Sequence, residues 1–106
     1  MTAPQRQVTA FLGLCLRAGQ ITSGMEACLS QVRSGAAAVV LADESLSEGS
    51  LKKLRDSCSF YRIPLYLFEP GTIGHAIGKD NRDVLCLRPG GMADKVLSIL
   101  KDEPRL

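Results

Sequence analysis

The sequence predicts an α/β fold in which helices pack on both faces of a sheet. Three observations predict it. Segments whose apolar residues recur at helical spacing alternate with short apolar runs, giving helix, strand, helix, strand, helix, strand, helix, strand, helix. One of those runs, residues 36–42, is continuously apolar with paired valines, as a strand covered on both faces must be. Glycines and polar residues stand between the periodic segments, and no repeat or low-complexity linker interrupts them. With 106 residues the chain is expected to form one domain, 1–106, with its core over about 5–100 and a frayed tail over 101–106.

Each element has its own signal. Residues 4–18 place Val8, Phe11, Leu12 and Cys15 on one helical stripe, and Arg17, Ala18 and Gly19 end the helix. Ile21, set between polar neighbours in residues 20–22, suits a brief edge strand. Ser23 and Glu26 have the spacing of a capping box, and Met25, Cys28, Leu29 and Val32 form the buried face of the helix they would start. Gly35 stops that helix, the apolar strand follows, and Asp43 closes it. Asp43 and Glu44 are expected to cap the next helix, whose stripe is Leu51, Leu54, Cys58 and Tyr61 and whose solvated face carries Lys52, Lys53 and Arg55.

Residues 63–68 read as a strand, leading through Glu69, Pro70 and Gly71 into a short helix that Thr72 would cap. Ile73, Ala76 and Ile77 face inward there, while Gly71, Gly74 and Gly78 serve as its start, packing position and stop. A polar loop, 79–83, precedes a strand over 84–87. The turn 88–91 leads to a last helix over about 92–100, with Met92, Val96, Leu97 and Leu100 as its stripe.

Composition narrows the function. Hydrophobic residues make up 45% and charged residues 23%, the balance of a globular protein. The net charge of +2 permits nucleic acid as a partner only through local clustering of basic residues. Cys15, Cys28, Cys58 and Cys86 each sit in an apolar pattern without metal or redox spacing, so they read as core residues of a protein in a reducing compartment. No run of eighteen apolar residues and no signal peptide is apparent, so a cytoplasmic location without membrane contact is expected. His75 is the one histidine and has no motif around it, and neither GxGxxG nor GxxxxGK[ST] occurs. The expectation is therefore of no catalysis, no metal and no small-molecule cofactor.

Several stretches carry a resemblance: LGLCLRAGQITSG, the helix ending VRSG, the strand AVVLAD, the spacing of Cys58 and Pro64, and GHAIGK. Taken in order they resemble the ribosomal-protein L-seven-Ae and L-thirty-e family over about residues 5–100, most closely its small bacterial YlxQ-type members. The resemblance implies a three-layer α/β/α sandwich around a four-stranded mixed sheet. It also implies non-catalytic binding of structured, kink-turn-like RNA, probed by two surfaces and connected with the ribosome or translation. One is the turn and helix start after the first strand, here Gly24, Met25, Glu26, Ala27 and Ser30, with Arg33 on the same helix. The other is the loop before the last strand, here Lys79, Asp80, Asn81 and Arg82.

The family signature has asparagine where Glu26 stands, an acidic or amide residue at Ala27 and lysine at Ser30. A carboxylate at Glu26 accepts hydrogen bonds but cannot donate as an amide does, and it repels phosphate. These departures, with the slight net charge, favour as the alternative a protein-interaction module that keeps the fold and has lost specific kink-turn binding.

Overall fold

The computed structural model describes residues 1–106 and contains five helices and four strands in strict alternation. In order they are α1 (Ala3–Arg17), β1 (Ile21–Ser23), α2 (Met25–Arg33), β2 (Val39–Asp43), α3 (Glu48–Phe60), β3 (Leu65–Phe68), α4 (Thr72–Ala76), β4 (Val84–Leu87) and α5 (Gly91–Ile99). The strands lie in the order β1-β4-β2-β3. β4 runs antiparallel to both β1 and β2, whereas β2 and β3 are parallel, so the sheet is mixed.

Alternation along the strands divides the core in two, because successive side chains in a strand point to opposite faces. Val39 and Leu41 of β2, Tyr66 and Phe68 of β3, and Leu85 and Leu87 of β4 pack against α1, α4 and α5. Val40, Ala42, Leu65, Val84 and Cys86 pack against Cys28, Leu29 and Val32 of α2 and Leu54 and Cys58 of α3. This is the expected three-layer sandwich. Every residue of β2 and β4 is buried, which accounts for the apolar run of each, broken only by Asp43 at the end of β2.

Four helices end in the same hydrogen-bonded turn, in which two successive N–H groups bond back to carbonyls of the last helical turn. The pairs are Gly19 to Leu16 with Gln20 to Cys15, Gly35 to Val32 with Ala36 to Gln31, Arg62 to Ser59 with Ile63 to Cys58, and Gly78 to His75 with Lys79 to Gly74. The turn needs a positive φ at its first residue. Glycine supplies it at 19, 35 and 78, and Arg62 supplies it at φ 58 after α3.

The structure corrects several expectations at the ends of elements. Ser23 and Glu26 form no capping box: Ser23 is held in β1 opposite Leu85, and Gly24 takes the N-cap position with no side-chain bond. Thr2 and Gln5 form a capping box instead, at the start of α1. Asp43 does not cap α3, whose N-cap is Ser47. As the last residue of β2 its carboxylate accepts from Ser45 N–H at 2.8 Å and Gly71 N–H at 2.7 Å. Gly71 rather than Thr72 is the N-cap of α4. Tyr61 lies beyond the stripe of α3, 41% exposed. β2 and β3 start later than the apolar runs predict, since Ala36 is still occupied in closing α2 and Ile63 in closing α3. In the tail, Leu106 N–H bonds to the Leu65 carbonyl at 2.9 Å, and Arg105 Nε donates to the Tyr66 hydroxyl at 3.3 Å.

Candidate nucleic-acid interface

Sheet order brings the two predicted surfaces to one pole. β1 and β2 both end where β4 begins, because β4 is antiparallel to each. Gly24 N–H donates to the Val84 carbonyl at 2.9 Å, and Asp43 N–H donates to the Asp83 carbonyl at 2.8 Å. The turn before α2 and the loop 79–83 are thus fixed to the same strand end. Between them lies a groove of about 140 Å³ lined by Gly24, Met25, Leu46, Asn81, Arg82, Asp83 and Val84.

Gly24 is the hinge of this arrangement, with φ 101 and ψ 146, a conformation nearly closed to any other residue. A Cβ there would lie 2.9 Å from Arg82 Nη1, so the bare backbone also makes room for the guanidinium. The first bond inside α2 runs from Cys28 N–H to the Gly24 carbonyl at 2.9 Å, and no side chain caps the helix. The N–H groups of Met25, Glu26 and Ala27 are therefore left without an acceptor in the chain. Such a helix start offers donors and a positive dipole end to an anion, and Arg82 adds a full charge beside it.

The loop 79–83 owes its position to Gly74. A Cβ on that buried glycine would come within 2.8 Å of the Lys79 carbonyl oxygen and 3.0 Å of that of Arg82, so only glycine allows α4 to approach the loop this closely. Gly74 also accepts from Lys79 N–H at 2.8 Å. From the far side of the sheet end, the Asp43 carboxylate ties β2 to the start of α4. Burial alone would raise its pKa, but the hydrogen bonds from Gly71 and Ser45 outweigh that and hold it below the usual value.

Of the sequence-predicted residues, Gly24, Met25, Asn81 and Arg82 meet at the groove. Glu26, Ala27 and Ser30 are exposed on the first turns of α2, and Lys79 and Asp80 are exposed in the loop outside the groove. Arg33 is not gathered with them: it ends α2, about 12 Å along the axis from Met25 at 1.5 Å per residue. Two contributors went unread. Leu46 lines the groove, its only sequence signal being an apolar residue in a polar stretch. Lys53, assigned to a solvated face, reaches the Glu26 carboxylate at 3.2 Å and offsets the charge that departs from the family signature.

Beneath α2 the thiols of Cys28, Cys58 and Cys86 are buried together. The hydrogen bond to Cys86 and burial push Cys28 well above its ordinary value, and burial pushes Cys58 up to about 11. The hydrogen bond from Cys28 draws Cys86 the other way, below its ordinary value. His75 is exposed on α4, away from the groove.

No family model matches the chain. RNA-binding protein YlxQ of Bacillus subtilis (strain 168) is 34% identical over 91 residues, covering 85% of this chain and 91% of that protein. The chain belongs to the YlxQ family. RNA-binding protein YlxQ of Enterococcus faecium agrees, being 32% identical over 92 residues, which span 86% of this chain and 88% of the relative. Among solved structures, a protein of unknown function from Bacillus halodurans C superposes with a TM-score of 0.82 at 29% identity, over 90% of this chain and 97% of that one. The 15.5 kD RNA-binding protein of Giardia lamblia shares the fold with a TM-score of 0.79 at 16% identity, over 95% of this chain and 88% of that one. The resemblance to YlxQ-type proteins thus holds, and the solved structures share the sandwich fold.

Proposed function

We propose that this YlxQ-family chain is a non-catalytic RNA-binding protein of the cytoplasm, that it recognises structured, kink-turn-like RNA in connection with the ribosome or translation, and that the groove pole is its interface. The observation that carries this reading is the meeting of unpaired donors with a cation: the open N–H groups of α2 lie beside the Arg82 guanidinium, which packs over Gly24. Both ends of that arrangement suit phosphate oxygens and base edges. The matched relatives are themselves named RNA-binding proteins. The test is a titration with a kink-turn RNA beside the same RNA whose sheared G·A pairs are converted to Watson-Crick pairs, at fixed salt. Tight binding to the first alone is the expected result; equal weak binding to both would remove kink-turn recognition. In a salt series, Lys79→Ala and Arg82→Ala should each reduce the slope of log affinity by about one unit, and unchanged slopes would remove those residues from the interface.

One observation favours the alternative of a protein-interaction surface. Phe60 is 79% exposed at the far end of α3 and stacks edge-to-face with Tyr61 at 4.9 Å between ring centroids. With Tyr61 beside it, 41% exposed, the ring forms the pair of neighbouring exposed aromatics from which a docking patch could be built. Phe60→Ser separates the two readings, since it should leave the RNA titration unchanged and abolish binding to a protein partner if that is what the ring serves.

A further inference from the structure

At the pole opposite the groove, where α3 ends and β3 begins, a cavity of about 220 Å³ is lined by Arg55, Arg62 and Arg105 together with Ser59, Ile63 and Leu65. We propose that this cavity is a phosphate-binding site, distinct from the groove and independent of the function proposed for it. Three features carry the inference. None of the three guanidiniums has a carboxylate partner: the ion pairs of the chain involve Met1 with Glu69, Lys52 with Asp56 and Lys53 with Glu26. Cations gathered around one cavity repel one another, and an oxyanion is the ligand that relieves this.

The second feature is the backbone of Arg62. It fills the position that glycine fills in the equivalent turns after α1, α2 and α4, and it adopts φ 58 to do so. A side chain held in the left-handed region where glycine would sit unstrained points to a role for that side chain. The carbonyl end of α3 favours a cation nearby, but that accounts for one arginine and not three. The third feature is that Arg105 is held in place. Its Nε donates to the Tyr66 hydroxyl, and Leu106 pairs with Leu65, leaving the two terminal guanidinium nitrogens free to meet a ligand. At roughly 30 Å³ per water, the cavity has room for a phosphate group with part of its hydration shell or for a pyrophosphate.

The shared chemistry is a phosphate dianion or diester, supplied either by an RNA backbone or by a small phosphorylated molecule. The experiment is an NMR titration of the full chain, labelled with nitrogen-15, with pyrophosphate against chloride at matched ionic strength. Saturable shifts of the Arg62, Ile63 and Leu65 amides and of the arginine Nε–H signals are expected. Arg62→Gly should remain folded, because glycine takes this backbone conformation freely, and should weaken pyrophosphate binding at least about tenfold, as loss of one charge-assisted hydrogen bond implies. Arg55→Ala, on an exposed helix face, should weaken it similarly. Adding a short single-stranded RNA then identifies the source: displacement of pyrophosphate supports a backbone phosphate, and undisturbed pyrophosphate signals support a small phosphorylated ligand. Linear, non-saturating shifts, or affinity unchanged in both variants, would overturn the proposal.

Discussion

Replacing Gly74 by alanine tests how the fold positions the groove. The added Cβ would stand 2.8 Å from the Lys79 carbonyl oxygen, 3.0 Å from that of Arg82 and 3.4 Å from Asp80 Cα. These are backbone atoms, so no side chain can swing aside. Relief requires α4 and the loop 79–83 to part by roughly 0.6 Å, the distance between 2.8 Å and ordinary contact at 3.4 Å. Overpacking of this kind costs about 1–3 kcal/mol, against which alanine recovers up to about 1 kcal/mol of helix propensity in α4. A net loss of about 1–2 kcal/mol should appear in urea denaturation. The same displacement carries Arg82 away from Gly24, so RNA affinity should fall by about tenfold, the equivalent of one charge-assisted contact. Gly78→Ala is the control. It imposes left-handed strain of about 1–2 kcal/mol, but its Cβ meets nothing within 4 Å. It should lose stability while binding RNA as the parent does. If Gly74→Ala keeps the parental affinity, or if both variants lose affinity alike, the close approach of α4 does not set the interface.

Two further outcomes follow from the same contacts. Asp43→Asn replaces one accepting oxygen with a donor facing either Gly71 N–H or Ser45 N–H, and should destabilise by about 2 kcal/mol at neutral pH; because the folded pKa of Asp43 lies below its unfolded value, its contribution is present above the unfolded pKa of about 3.9 and is lost as pH falls through the folded pKa. Denaturation curves of parent and variant that stay equally far apart at pH 7 and well below pH 4 would refute that assignment. Glu26→Asn removes a carboxylate from the first turn of α2 and frees Lys53, so kink-turn affinity should rise several-fold while stability changes by less than about 0.5 kcal/mol; unaltered affinity would mean that this side chain does not face the RNA.

What the sequence made legible was whatever repeats along the chain. Helical stripes placed all five helices, and the apolar runs placed the central strands, because burial on a sandwich core leaves a periodic trace. The glycine triplet of α4 was also readable, since Gly71 and Gly78 supply the positive φ at its start and stop and Gly74 leaves no room for a side chain where the helix packs. Ser23 and Glu26 misled because the capping motif is a matter of register. One residue of extra ladder in β1 shifts the N-cap to Gly24 and turns Glu26 outward to Lys53. Leu46, Lys53 and Asp43 could not be placed because their partners are 27 or more positions away or on another element, and only sheet order brings them together. The same holds for the arginine cavity, whose members belong to α3, the turn after it and the tail.

The charges at the groove pole bear on how it can select a ligand. Arg82 and Asp83 both line the groove, and Lys53 pairs with Glu26 beside it, so charges there offset one another. Long-range attraction then contributes little, in keeping with a whole-chain charge of only +2. Selection must come at short range, from the three open donors of α2 and the single guanidinium fixed beside them. Backbone donors carry no counterion, so they add affinity without adding to the salt slope. An interface limited to Lys79 and Arg82 should show a slope on the order of −2. A much steeper slope for a longer RNA would require cations beyond these two.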